Sequence, residues 1–126
     1  MPDNKTNILV IDDELEIREL LKEFLEENNF IVTLAADGIE AQEFIKKSVP
    51  DIAVIDLLLP GEHGISLVKT IKEKYFIPVI IISCIYRREE VQDLMDEYFV
   101  EGFFEKPLDL NEFLEKLNSI IDERAV

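Results

Sequence analysis

The stretch Ile8-Leu9-Val10-Ile11-Asp12-Asp13-Glu14 decides the fold class of this chain. Its first four residues are all apolar, as expected for a strand that is buried on both faces of a parallel sheet. The apolar run ends at two aspartates, and Ile17 to Leu25 then carry apolar residues at the spacing of an amphipathic helix. A buried strand followed by such a helix is the repeating unit of an α/β protein.

This strand–helix unit occurs five times along the chain, without a linker or a low-complexity segment. The later strands are predicted at 31–35, 52–55, 79–82 and 103–105. Because parallel strands need right-handed crossovers, five such units predict an open doubly wound sheet rather than an eight-unit barrel. We therefore predict a single α/β domain over 1–126, a three-layer sandwich with helices on both faces of a five-stranded parallel sheet.

The composition narrows the classes of function. The 126 residues include 28 acidic residues against 13 Lys and Arg, a net charge of −15, so we expect no direct binding to nucleic acid or to anionic membranes. No apolar run is long enough to cross a bilayer, and the N-terminus lacks the apolar core of a signal peptide, which predicts a cytoplasmic protein. The single cysteine, Cys84, allows no intramolecular disulfide and is expected to pack beside the fourth strand.

Polar residues follow four of the predicted strands at their carboxyl ends: Asp12 and Asp13, Asp56, Ser83, and Lys106. Those ends line the ligand crevice of an open α/β sheet. Two unit charges about 4 Å apart repel by about 4 kcal/mol at an effective dielectric constant of about 20, so three carboxylates on one rim need a cation. Lys106 supplies one positive charge, and the oxygen donors suit Mg²⁺ best, Mn²⁺ next and Ca²⁺ less well.

A metal ion beside a carboxylate suits phosphoryl transfer, since it neutralises the phosphoryl oxygens and orients an in-line attack. One of the aspartates could then be the nucleophile. With no His or Cys on the predicted rim, the residues argue against zinc. Each residue also has a plainer interpretation, as a helix N-cap for Asp12 or Asp13, a loop hydroxyl for Ser83 and a surface lysine for Lys106. Their combination favours a site, whereas His63 is expected to be an exposed loop residue.

Together these residues resemble the receiver domain of two-component response regulators, over a core of about 7–121. The resemblance is carried by the opening stretch with Pro50–Gly61, Gly64, Pro78–Ser83 and Glu105-Lys106-Pro107. It implies a flavodoxin-like strand order of 2-1-3-4-5.

The resemblance also implies roles for the acidic residues. Asp56 would accept the phosphoryl group. Asp13 and Asp56 would ligate Mg²⁺ directly, together with the backbone carbonyl of Leu58, and Asp12 would act mainly through a bound water.

Ser83 and Lys106 would each contact a phosphoryl oxygen, and Phe103 would be the switching aromatic residue whose ring turns inward when Ser83 moves. The chain departs from the family in two places. Phe99 stands where family members commonly have a glycine, which could rebuild the approach to the fifth strand. The run from Ser83 to Lys106 is also one residue longer than usual, so counting back from the lysine selects Cys84. Ser83 is preferred because of its hydroxyl group and its distance from the start of its strand.

The function implied is a phospho-accepting switch, which takes a phosphoryl group from the phosphohistidine of a sensor kinase or a phosphotransfer protein. It would promote its own phosphorylation and dephosphorylation without being a turnover enzyme. Its fourth helix, fifth strand and fifth helix would contact an effector protein or a second copy. The alternatives are an aspartyl-nucleophile phosphatase, which usually has an Asp-x-Asp motif and a cap domain, and a phosphorylation-independent interaction module. We expect either a stand-alone receiver or the receiver part of a longer regulator.

Overall fold

A computed structural model describes residues 5–59 and 64–125 of the chain. Pro60, Gly61 and His63 lie outside the described residues. The described part alternates strands and helices in the predicted order. The strands are β1 (Asn7–Ile11), β2 (Ile31–Ala35), β3 (Ile52–Asp56), β4 (Val79–Ser83) and β5 (Gly102–Glu105). The helices are α1 (Leu15–Glu27), α2 (Gly38–Lys47), α3 (Gly64–Tyr75), α4 (Gln92–Tyr98) and α5 (Leu110–Ala125), and a 3₁₀ turn (Arg88–Glu90) precedes α4.

The sheet has the order β2-β1-β3-β4-β5, and all neighbouring strands are parallel. This confirms the predicted architecture and strand order. In the register of the central strands, Val10 of β1 lies opposite Leu34 of β2 and Val54 of β3. Because β2 and β3 flank β1 on opposite sides, the winding direction reverses at β1. The carboxyl ends of β1 and β3 therefore border the crevice where ligands of such sheets bind.

Two hydrophobic layers cover the two faces of the sheet. Successive side chains of a strand point to opposite faces, so Leu9 and Ile11 pack in the layer of α2, α3 and α4, whereas Ile8 and Val10 pack in the layer of α1 and α5. Burial on both faces explains why β1, β3 and β4 are apolar almost throughout. One residue of the predicted apolar stripe of α1 does not belong to the core, since Leu20 is largely exposed.

The backbone is constrained at the start of α3 and at the end of α4. A Cβ atom at Gly64, the first residue of α3, would overlap the backbone of Leu57, so only glycine lets the helix begin this close to the end of β3. At the end of α4, Phe99 adopts the left-handed conformation with φ 56° and ψ 45°, and the amide of Val100 donates to the carbonyl of Met95. The approach to β5 thus has the backbone form that a glycine would favour, with phenylalanine in its place.

Candidate functional site

Four carboxylates meet at the carboxyl ends of β1 and β3. Asp12 follows β1 directly and Asp56 is the last residue of β3, and both side chains are buried. Asp13 and Glu14 are exposed at the same rim. One carboxylate oxygen from each of these four residues lies within 4.8 Å of the other three. The structure thus brings together the three predicted aspartates and adds Glu14, which the sequence analysis did not include.

Lys106 reaches into this cluster from the residue after β5. Its Nζ lies 2.8 Å from Oδ2 of Asp12, 2.6 Å from Oε1 of Glu14 and 3.1 Å from Oδ2 of Asp56. The lysine side chain is only 7% exposed, so its contacts with the buried Asp12 and Asp56 are shielded from water. The plainer interpretation of Lys106 as a surface lysine is wrong, because the strand order places β5 close enough for its side chain to cross to β1 and β3.

The local backbone holds the two buried aspartates in place. Oδ1 of Asp12 accepts a hydrogen bond from the amide of Glu14, at 2.8 Å, and Oδ1 of Asp56 accepts one from the amide of Leu58, at 3.0 Å. Each aspartate therefore binds its own backbone two residues on, which leaves Oδ2 directed toward Lys106. The position of the Leu58 carbonyl as a metal ligand stays a prediction.

The interpretation of Asp12 or Asp13 as a helix cap is also wrong. The N-cap residue of α1 is Glu14, and no side chain accepts a capping hydrogen bond there. The carboxylates of Asp12 and Asp13 are consequently not used to begin the helix. By contrast, Asp109 accepts hydrogen bonds from the amides of Asn111 and Glu112 and so caps the start of α5.

The charges of the cluster are unbalanced. Burial raises the pKa of Asp12 above its ordinary value, and the nearby charge of Asp56 raises it further, although contacts with Lys106 and the Glu14 amide oppose the shift. Burial alone would lower the pKa of Lys106, but its contacts with Asp12, Glu14 and Asp56 outweigh that effect and raise the pKa above that of an ordinary lysine. Lys106 is therefore positively charged at neutral pH, facing an excess of negative charge.

The donor set fits a hard divalent cation. Oδ2 of Asp12 is buried, and its contact among the described residues is the ion pair with Lys106 at 2.8 Å. Three of the four carboxylates share the ammonium group of Lys106, so the cluster carries an excess of negative charge. Oxygen-only donors of this kind suit Mg²⁺ or Mn²⁺.

Ser83 is the last residue of β4 and is fully buried. Its Oγ accepts hydrogen bonds from the amides of Ile85, at 3.2 Å, and Tyr86, at 2.9 Å, and its backbone carbonyl accepts one from the amide of Lys106. The structure therefore holds Ser83 next to the backbone of the lysine. Cys84 lies beyond the strand end and is exposed, so the expectation that it packs beside the strand is wrong.

Phe103 lies in β5 and is only 9% exposed, packed in the same hydrophobic layer as Val91 and Met95. Its ring is thus directed inward. The predicted turning of this ring with the movement of Ser83 stays a prediction.

Sequence reasoning missed Glu14 as a member of the cluster. The signal was present, because Glu14 directly follows two aspartates at the end of a buried strand. In the sequence, however, Glu14 resembles the many exposed glutamates of helix α1. The contact with Lys106 distinguishes Glu14 from the other glutamates of the α1 surface.

Comparisons with known proteins identify the family of the chain. Residues 8–118 match the response regulator receiver domain family. The chain belongs to that family, and to its fold class of five parallel strands with helices on both faces. Regulatory protein VirG of Rhizobium rhizogenes is 34% identical over 118 residues, which cover 94% of this chain and 49% of VirG. Transcriptional regulatory protein ResD of Bacillus subtilis is 35% identical over 106 residues, covering 79% of this chain and 43% of ResD.

Among solved structures, the receiver domain of the Francisella response regulator 1452 is 30% identical, with a TM-score of 0.86 over 95% of this chain and 99% of that one. The chain spans about half the length of the curated relatives it matches. Among residues 5–59 and 64–125, no helix is both long and apolar enough to span a membrane.

Proposed function

We propose that the protein is a phospho-accepting switch of a two-component system in which Asp56 receives a phosphoryl group from the phosphohistidine of a sensor kinase or a phosphotransfer protein. The observation that carries this proposal is the meeting of Asp56 with Asp12, Asp13 and Glu14 within 4.8 Å, next to the buried ammonium group of Lys106. The histidine partner follows from membership of the receiver family. Because a sensor kinase draws on cellular ATP, the proposal places the domain in the cytoplasm.

The transfer itself is a displacement at phosphorus. A carboxylate oxygen of Asp56 attacks the phosphorus atom, a P–O bond forms as the P–N bond breaks, and the histidine leaves with the electron pair of that bond and takes up a proton. The hydrogen bond from the Leu58 amide to Oδ1 of Asp56 fixes the orientation of the carboxylate. Lys106 lies close enough to stabilise the negative charge that arrives with the phosphoryl group.

A divalent cation completes the proposed site. Asp13 and Asp56, with the Leu58 carbonyl, are the candidate direct ligands of Mg²⁺ or Mn²⁺, and Asp12 is the candidate partner of a metal-bound water. The bound cation would supply positive charge that offsets the phosphoryl oxygens. The buried Oδ2 of Asp12, whose cation is shared with Glu14 and Asp56, supports this assignment.

The acquired charge would then change the populations of two conformers. In the favoured one, Ser83 and Lys106 close on the phosphoryl group, and Phe103 follows the movement of β4. The altered surface is the face formed by α4, β5 and α5, which would bind an effector protein or a second copy. The domain would promote its own phosphorylation and dephosphorylation, without turnover of a separate substrate.

The test is incubation with acetyl phosphate or phosphoramidate and MgCl₂, followed by intact-mass measurement. We expect the wild-type protein to gain the mass of one phosphoryl group and Asp56→Ala to gain none. Asp122→Asn, which changes an exposed aspartate on α5, is the matched control and should behave as wild type.

The other outcomes identify the alternatives. Uptake that persists in Asp56→Ala would show that another residue is the acceptor. An absence of uptake with both donors would favour a phosphorylation-independent interaction module. Continuous release of phosphate from p-nitrophenyl phosphate would favour an aspartyl-nucleophile phosphatase.

A further inference from the structure

Two phenylalanine rings stand exposed at the ends of neighbouring helices. Phe76 follows α3 and is 81% exposed, and Phe99 follows α4 and is 79% exposed. Among the described residues these are the most exposed large apolar side chains. Both line one open groove of about 490 Å³, whose other lining residues are Lys72, Glu73, Glu97 and Tyr98. We call it the Phe76–Phe99 groove.

The backbone at both positions is unfavourable for phenylalanine. Phe76 and Phe99 each have φ 56°, in the left-handed region that favours glycine or asparagine. A residue with a Cβ atom costs on the order of 1 kcal/mol there, and the exposed rings recover little of it by burial. The folded domain would be more stable with glycine at either position. An outlier of this kind points to a role outside folding.

The groove is separate from the phosphoacceptor site. Phe76 precedes β4 and Phe99 precedes β5, so both lie at the amino ends of the strands. Asp56 and Lys106 lie at the opposite, carboxyl ends. The groove is lined by residues of α3 and α4, and Phe99 also borders a neighbouring groove against Lys116 and Ile120 of α5.

The charged residues that line the groove are Lys72, Glu73 and Glu97, and only Lys72 has an ion-pair partner among the described residues. Nζ of Lys72 lies 2.9 Å from Oε1 of Glu101 and also donates to the carbonyl of Ile77, so its charge is matched within the chain. Across residues 5–59 and 64–125, neither Glu73 nor Glu97 forms an ion pair.

The negative charge of Glu73 and Glu97 affects the pKa of Tyr98. Partial burial raises the pKa of the phenol above its ordinary value, and the charges of Glu73 and Glu97 raise it further. The ring of Tyr98 also attracts a cation of the same chain, since Nζ of Lys69 lies 5.8 Å from its centroid. Glu73 also accepts a hydrogen bond from the Tyr98 hydroxyl at 3.5 Å, so the negative charge left for a partner at this groove is that of Glu73 and Glu97.

We propose that the Phe76–Phe99 groove docks a cationic, apolar segment of a partner protein. An apolar side chain of that segment would lie between the two rings, and its Lys or Arg residues would face Glu73 and Glu97. A second copy of this chain is disfavoured as the occupant, because it would bring the same carboxylates and a net charge of −15 against an equal charge.

The probe for the test is a short fluorescent helical peptide with Leu and Arg at alternating helical turns, titrated by fluorescence anisotropy. Two control peptides replace all Leu by Ser or all Arg by Glu. We expect the Leu/Arg peptide to bind most tightly, with the amide resonances next to Phe76 and Phe99 shifting most in the ¹H–¹⁵N spectrum. Equal binding of the Ser-substituted peptide would overturn the proposal, because attraction to the acidic surface would then be sufficient.

The ring variants are Phe76→Asn and Phe99→Asn, since asparagine tolerates the left-handed backbone. We expect affinity to fall about tenfold in each, as for a central aromatic contact. Thermal stability should be unchanged or higher, which excludes misfolding as the cause. The matched control is Ile39→Asn, which removes an exposed apolar side chain from α2 and should leave affinity unchanged. Unchanged affinity in both ring variants would overturn the proposal.

Two double variants distinguish attraction at the groove from the effect of the net charge of the whole chain. The double change Glu73→Gln and Glu97→Gln should weaken binding several-fold, whereas Glu19→Gln with Glu23→Gln on α1 alters the net charge equally and should have a much smaller effect. An equal loss in both pairs would overturn the local assignment. So would a concentration-dependent dimer in sedimentation that disappears in Phe99→Asn, because a second copy would then be the occupant.

Discussion

The residues of the candidate site, Asp12, Asp13, Glu14, Asp56 and Lys106, differ in burial and in their charged neighbours. These differences determine how a substitution changes the stability of the protein. Lys106 is buried against three carboxylates, whereas Asp12 shares its single cation with Asp56 and Glu14. Removing the cation leaves buried negative charges without a partner. Removing one of the carboxylates relieves a repulsion instead. Two residues of the same ion pair should therefore have opposite effects on stability.

We predict that, in magnesium-free buffer with EDTA, Lys106→Met lowers the free energy of unfolding by about 3 kcal/mol, because it leaves Asp12 and Asp56 buried and unpaired. Asp12→Asn should raise it by on the order of 1 kcal/mol, because burial and Asp56 already disfavour the charged form of Asp12. Urea unfolding followed by circular dichroism measures both. A loss of stability in Asp12→Asn as large as that in Lys106→Met would contradict this account of the charge balance.

Glu14 is 54% exposed, so its ion pair with Lys106 adds little to stability. Its carboxylate nevertheless belongs to the candidate metal cluster. We predict that Glu14→Gln changes the free energy of unfolding by less than about 0.5 kcal/mol while it weakens Mg²⁺ binding several-fold, as measured by titration calorimetry. The control is Glu16→Gln, an exposed glutamate in the first turn of α1, which should leave the affinity for Mg²⁺ unchanged. Equal affinities in the two variants would remove Glu14 from the site.

At the scale of elements, strand and helix ends place the site. Asp56 closes β3, Asp12 follows β1 and Lys106 follows β5, so the parallel sheet alone brings residues far apart in sequence to one rim. The position of the first turn of α3 is also fixed, because Gly64 packs against the backbone of Leu57 in the loop after Asp56. Packing at this helix start thus constrains the loop next to the candidate acceptor.

We predict that Gly64→Ala lowers the free energy of unfolding by about 2 kcal/mol, since the added methyl group meets backbone that cannot move without shifting α3 or β3. Gly102→Ala is the matched control. There the new Cβ would meet the Lys116 side chain, 3.2 Å from its Cε, and that flexible side chain can move away. Denaturation curves for the two variants should therefore differ clearly, and equal losses would show that the close approach at Gly64 is not limiting.

The sequence predicted the elements far better than their ends. Continuous apolar runs identified β1, β3 and β4, because strands buried on both faces leave no room for polar residues. Helix ends depend on contacts distant in sequence. Asp12 and Asp13 resemble caps in the sequence, but the N-cap residue of α1 is Glu14. The left-handed backbone of Phe99 could not be inferred at a position where glycine is expected. Glu14 was missed because its partner is 92 residues away.

For the whole molecule, the net charge of −15 has two components with different consequences. Most acidic residues lie on solvated helix surfaces, such as the exposed glutamates of α1. Their mutual repulsion is screened by any salt. The rim carboxylates lie close together and two of them, Asp12 and Asp56, are buried, so salt screens their repulsion less than that of the helix surfaces.

Because of this difference in burial and spacing, divalent cations should stabilise the protein more than monovalent cations do. We predict that MgCl₂ raises the melting temperature well beyond NaCl of equal ionic strength, because binding to the folded state alone contributes about 2.7 kcal/mol at one hundred times the dissociation constant. For a domain of this size that corresponds to about 10 °C in differential scanning fluorimetry. The excess over NaCl should disappear in Asp13→Asn and Asp56→Asn and persist in Asp122→Asn, since only the first two lie in the cluster. Equal effects of the two salts on the wild-type protein would mean that the carboxylates hold no divalent cation and that Lys106 alone balances them.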